Sequence, residues 1–174
     1  MKAIALGVVW AALFRFNAAA FAAFAISDHA SWIFLPAALR VLFPLVFRGS
    51  GVFGLVLGSL LIVPPSAQAL VAPILFALGS GLAPVIGIAI CQNIFKLPPD
   101  LSGLSATHLA ALSLTCGAAN SLIVNLCVLL TGGPTHGAIH AVTVFVGDVA
   151  GTAIVLYAIA GLLSLIAHVR RCPN

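Results

Sequence analysis

The chain has 174 residues, 63% of them hydrophobic and only 6% charged, with a formal net charge of +4. Apolar segments of transmembrane length follow one another, and no polar stretch between them approaches the roughly 50 residues a soluble domain needs. A water-soluble catalytic module is thereby excluded, as is nucleic acid as a partner, since no basic face interleaved with aromatics is present.

What remains is a single integral membrane domain over residues 1–174, an all-α bundle whose first partner is the lipid bilayer. Six apolar segments are predicted. The chain opens with MKAIALGVVWAALF followed by AAFAAFA, which has the basic start, apolar middle and A-x-A of a secretory signal. We expect it to be retained as the first membrane helix, over about residues 4–26. After SDHAS comes a second segment at about 31–47, and after RGSG a third, also short, at about 51–68, with a break near Pro64 to Ser66. The fourth runs over about 70–95, the fifth over about 105–131 and the sixth over about 138–168, separated by KLPPDLSG and TGGPTHG. With the N-terminus in the cytoplasm, Lys2, Arg48, Lys96, Arg170 and Arg171 all fall on the cytoplasmic side. The outer connections then hold Asp28, His29 and His136 but no Lys or Arg. Both termini are therefore expected to be cytoplasmic, and residues 51–68 to count as a full crossing. Gly54 with Gly58, and Gly147 with Gly151, have the small-xxx-small spacing that lets helix backbones approach. Pro36, Pro44, Pro73 and Pro84 fall inside the segments, where they can kink a helix and free carbonyls.

Three ionisable residues lie within the hydrocarbon: Arg15, Arg40 and Asp148. Counted from the outer end of each segment at about 1.5 Å per residue, they sit about 16, 13 and 15 Å deep. All three depths are near the middle of a core about 30 Å thick. One Arg or Asp at a helix centre costs about 2.5 to 3.5 kcal/mol on insertion scales, so pairing is the natural remedy. Asp148 can accept a forked hydrogen-bond pair from a guanidinium. Two arginines and one aspartate leave a positive charge over. Asn17, Asn120 and Asn125 can add carbonyl oxygens, Asn120 at a similar depth on the fifth segment, but an amide does not cancel a charge. Either one arginine snorkels or binds freed carbonyls and the trio fixes helix register, or a small anionic ligand such as a carboxylate or phosphate completes the cluster. A proton relay is a third use of the same groups.

The other polar residues point to less. His29, His136 and His140 gather at the outer side near Asp28, where a proton or metal sensor is conceivable, but their spacing matches no ligand motif and solvated loop polarity accounts for them. His108 and His168 are expected at interfaces, and Trp10 and Trp32 in the interfacial belts, Trp32 with the better claim. Cys91, Cys116, Cys127 and Cys172 form no metal-spaced cluster. No cofactor or metal is expected, and no nucleophile, base or paired-carboxylate grouping suggests an enzyme.

Two stretches carry a resemblance. FLPAALRVLFPLVFRGSGVFGLVLGSLL, residues 34–61, and FVGDVAGTAIVLYAI, residues 145–159, are similar in order and content to two motifs of membrane-associated sensor domains of the MASE type. Pro36, Arg40, Gly147, Asp148 and Gly151 match the motif positions, whereas Ala38 stands where glycine is common in that family. The resemblance implies a multi-pass bundle in the bacterial inner membrane that senses a small ligand or the membrane state and passes the signal to a cytoplasmic output domain. The sequence ends at Asn174 without such a domain, so signalling is expected to run through a separate membrane or cytoplasmic protein. Three functions follow as expectations. The first is a sensor-type or ligand-binding module built on Arg40, Asp148, Arg15 and Asn120. The others are a non-catalytic accessory or assembly subunit of a larger membrane complex, and a small transporter or importer substrate-binding subunit.

Overall fold

A computed structural model describes residues 1–27, 30–63, 70–96, 105–133 and 137–171, the last with side chains up to 159 and at 161 and 162. Asp28, His29, Pro64, Pro65, Ser66, most of KLPPDLSG, His136 and Cys172 lie outside the described residues, as do the side chains of His168, Arg170 and Arg171.

Six α-helices carry most of the described chain: α1 (Lys2–Ala20), α2 (Ala37–Phe47), α3 (Gly49–Leu61), α4 (Val71–Phe95), α5 (Ala106–Leu130) and α6 (Gly137–Arg171). The architecture is all-helical, as the apolar segments predict. Four helices are long and apolar enough to cross a membrane: α1, α4, α5 and the Gly137–Ile159 part of α6, with mean hydropathies of 1.6, 2.3, 1.7 and 1.9. The remaining two are too short. With 11 and 13 residues, α2 and α3 are about 16 and 20 Å long, against a hydrocarbon core of about 30 Å.

The second predicted segment is thus not one helix. After α1 the chain makes a 3-10 turn (Ala22–Phe24) and a small antiparallel hairpin, β1 (Ala25–Ser27) with β2 (Ala30–Ser31). It then runs extended to Pro36, the residue that caps α2. The cause is local: proline disfavours helix in the residue before it and has no N–H to bond backwards, so Pro36 favours a helix start. Pro44 and Pro84 do lie inside helices, α2 and α4, while Pro73 sits in the first turn of α4, where its missing N–H has no helical partner to lose.

Helices α1 and α3 run side by side in the same direction, with Gly54 and Gly58 of α3 against Leu6, Gly7 and Trp10 of α1. Helix α4 returns antiparallel to α3 and packs on α5, where Gly87 faces Cys116, and α6 returns along α5. The short α2 sits among α3, α4, α5 and α6. A core of Val41, Ile88, Cys91, Ala111, Leu112 and Cys116 fills the end of the bundle towards Lys96.

Gly147 and Gly151 act differently from their spacing-based reading. They receive not a helix but the extended run before α2. A side chain at Gly147 would collide with the Ser31 carbonyl, and one at Gly151 with the Phe34 carbonyl and the Leu35 nitrogen. The Phe34 N–H donates to the Gly147 carbonyl at 3.2 Å. Non-helical backbone beside membrane helices must find partners inside the protein. Asn17 of α1 supplies two of them on the opposite side, its Nδ2 donating to the Ile33 carbonyl (3.2 Å) and its Oδ1 accepting from the Leu35 N–H (2.9 Å).

Candidate functional site

The glycine track on α6 sets the position of everything that follows. Because Gly147 and Gly151 let the chain lie directly on α6, Pro36 starts α2 beside Asp148. Side chains on a helix tilt towards its N-terminus, so Arg40, one turn into α2, reaches back to that carboxylate. Its Nη1 donates to both Asp148 oxygens, each at 3.1 Å. The expected fork from two guanidinium nitrogens is therefore a single-nitrogen bridge. Asn120 of α5 completes the group, its Nδ2 donating to Asp148 Oδ2 at 2.6 Å. The pair is largely enclosed, with 12% of the Arg40 side chain and 6% of the Asp148 side chain accessible.

Two neighbouring aromatic rings pack against the guanidinium. Arg40 Cζ lies 5.1 Å from the centre of the Trp10 ring and 5.0 Å from that of Phe34, both within cation–π range. Trp10 is accordingly 1% exposed and sits in the core with Phe43 and Leu55, not in an interfacial belt.

Arg15 stands apart from this group. Helix α1 ends at Ala20, short of the predicted residue 26, which leaves Arg15 five residues from the helix end, or about 8 Å. It is exposed on the α1 surface and does not line the cavity described below. At that depth a long side chain snorkels out of hydrocarbon readily. The positive charge left over in the sequence count is thus not in the cluster: Arg40 meets one carboxylate and two rings. Asn17 and Asn125 are also committed elsewhere, Asn17 to the extended run and Asn125 to the Ser121 carbonyl and His140.

Above the pair opens a cavity of about 840 Å³. Helices α1, α3 and α5 line it with their C-terminal halves, through residues such as Asn17, Ser59 and Val124, and α4 and α6 with their N-terminal halves, through Phe76, Ser80 and Val144. The hairpin also contributes, and Arg40, Asp148 and Asn120 form the floor. Beyond the floor, the Val41–Leu112–Cys116 core closes the bundle. The result is a blind vestibule opening at the end opposite Lys2, Arg48 and Lys96.

Several buried polar atoms on its walls have no hydrogen-bond partner: Trp10 Nε1, Arg40 Nε, Ser80 Oγ and Asn120 Oδ1. Buried polar groups are satisfied in the great majority of cases, so four such atoms around one cavity mark it as a place where partners arrive from elsewhere. Each atom is itself covered by its neighbours.

His140 departs from the expected solvated loop polarity, while His29 and His136 lie outside the described residues. His140 is 3% exposed, with Nδ1 3.0 Å from Asn125 Oδ1 and Nε2 3.3 Å from Ser27 Oγ. It ties the hairpin to α5 and α6. His108 closes a capping box with Ser105 at the start of α5. Among the described residues no group of three or more metal-ligating side chains occurs. The structure brings together Arg40, Asp148, Asn120, Pro36, Gly147 and Gly151. It adds Trp10, Phe34 and Ser80, which carry no sequence signal beyond being large or polar in an apolar run. No protein-family model, curated protein or solved structure matches the chain.

Proposed function

We propose that this protein is a sensor-type ligand-binding module of the bacterial inner membrane. A small molecule is held over the Arg40–Asp148–Asn120 floor, and the signal passes to a separate protein partner. The cavity with its four unpartnered polar atoms carries this reading, being of the size of small-molecule sites, about 300 to 1,000 Å³. In this reading the chain crosses the bilayer six times with both termini cytoplasmic. The second crossing is half extended chain and half α2, and the third is the short α3. Support comes from Lys2, Arg48 and Lys96, which cluster at one end of the bundle as the positive-inside rule asks. The vestibule then opens to the outer side. Discontinuous crossings whose irregular backbone lines a cavity are the usual place for binding sites in membrane proteins.

The test is native mass spectrometry of protein extracted gently from its own membranes. A small molecule released from the wild type should be missing from Ala18→Trp, which fills the cavity from an exposed position on α1. Identical spectra for the two would refute the reading.

One observation favours a second reading, an accessory subunit of a larger membrane complex. Arg15 is exposed on a helix that packs mainly on α3, and a charge on a membrane helix ordinarily faces protein. Co-purification of another membrane protein in fixed stoichiometry, lost on Arg15→Leu, would support it.

A further inference from the structure

The proposed cavity says more about its guest than that it is small. Its floor holds one cation and one anion in direct contact, and the cation is further stabilised by the Trp10 and Phe34 rings. Among the described lining residues there is no other carboxylate, Lys, Arg or His side chain, the Cys127 thiol being the one further ionisable group. A carboxylate or phosphate would have to displace Asp148 from Arg40 or sit beside it, and a cation would face Arg40; either arrangement brings like charges together in a low-dielectric site. The free hydrogen-bonding capacity is of mixed sign. Trp10 Nε1 and Arg40 Nε are donors, Asn120 Oδ1 is an acceptor, and the Ser80 hydroxyl is both. The walls are rich in flat apolar surface, with Trp10, Phe14, Phe21, Phe34 and Phe76 all on the lining.

Resting on the ligand-binding reading above, we infer that the cavity takes an uncharged, flat ring compound carrying both an N–H donor and a carbonyl-type acceptor, such as an aromatic carboxamide, a cyclic amide or an N-heterocycle. Its carbonyl would accept from Arg40 or Trp10, its N–H would donate to Asn120 Oδ1 or Ser80, and its ring would lie against the aromatic wall. Neutrality lets it enter without disturbing the Arg40–Asp148 contact. Mixed polarity is what distinguishes it from a hydrocarbon tail.

The experiment compares three probes of nearly the same shape on the full protein in lipid nanodiscs: indole-3-carboxamide, indole-3-carboxylate and indole-3-methanamine. Binding is followed by saturation-transfer NMR and titration. The carboxamide should bind at least about fivefold tighter than either charged probe, the effect of roughly one well-made hydrogen bond or one avoided charge clash. Ser80→Ala serves as the second arm. Removing a buried hydroxyl that has no partner should leave the melting temperature unchanged or raised, while carboxamide affinity falls about fivefold. Preference for the carboxylate or the amine, indifference of carboxamide binding to Ser80→Ala, or failure of all three probes to bind would each overturn the inference. A natural small molecule of any charge displaced by Ala18→Trp would still uphold the binding reading, so the two can fail separately.

Discussion

A double-mutant cycle on Arg40 and Asp148 gives the sharpest test of the buried pair. Removing one member of a buried ion pair costs about 3 to 5 kcal/mol, because the other charge is left without its partner. The geometry places this pair towards the lower figure, since one nitrogen serves both oxygens at 3.1 Å and the two-nitrogen fork is not made. The two single variants should nevertheless differ. Asp148→Asn leaves the guanidinium against Trp10 and Phe34, at 5.1 and 5.0 Å. Arg40→Met strands the carboxylate with Asn120 alone and also loses both ring contacts, each worth about 0.5 to 2 kcal/mol. Arg40→Met is therefore expected to be the more destabilising, by about 1 to 4 kcal/mol. The double variant should recover about 2 kcal/mol relative to the sum of the singles. Equilibrium unfolding in mixed micelles with increasing SDS measures all four proteins. Additivity within about 0.5 kcal/mol, or a cost for Asp148→Asn above that for Arg40→Met, would refute the reasoning.

Gly151→Val should prevent accumulation of folded protein, seen by fluorescence-detected size exclusion, because a side chain there meets the Phe34 carbonyl and Leu35 nitrogen. Gly161→Ala, where a Cβ meets nothing within 4 Å, should be neutral or stabilising by up to about 1 kcal/mol. Asn17→Leu should destabilise by about 1 to 3 kcal/mol, as it orphans the Leu35 N–H and leaves the Ile33 carbonyl with the Ser31 hydroxyl alone, and Asn17→Asp should not rescue it because it sets a carboxylate against that carbonyl. In a Cys172→Ser background, Ala25→Cys should react with a membrane-impermeant maleimide on intact spheroplasts. Gly49→Cys should react only after permeabilisation; the reverse pattern would invert the orientation.

The Arg40–Asp148 contact was legible because charges buried in hydrocarbon must find each other, and only one carboxylate lies within the predicted segments. Asn120 was legible by depth. The place of Arg15 was not, since its estimated depth depended on a helix end six residues further on, and nothing in AAFAAF announces that the helix stops at Ala20. The glycine pair on α6 was legible only as a site of close backbone approach: the spacing says that something comes near, not whether it is a helix or an extended chain. Pro36 did hold that information, because a proline in an apolar run can mark a helix start as well as a kink. Trp10 was misplaced because membrane tryptophans favour interfaces on average, and a cation buried beneath them overrides the average.

The extended run between the hairpin and α2 has a consequence for how the protein is made. Its backbone groups at Ile33 and Leu35 are held by Asn17, which is synthesised earlier, but the Phe34 N–H waits for the Gly147 carbonyl, which leaves the ribosome much later. Until then this stretch cannot rest in acyl chains as a self-sufficient unit, as a complete helix can. In the proposed membrane topology the stretch is therefore completed only once α6 supplies that carbonyl.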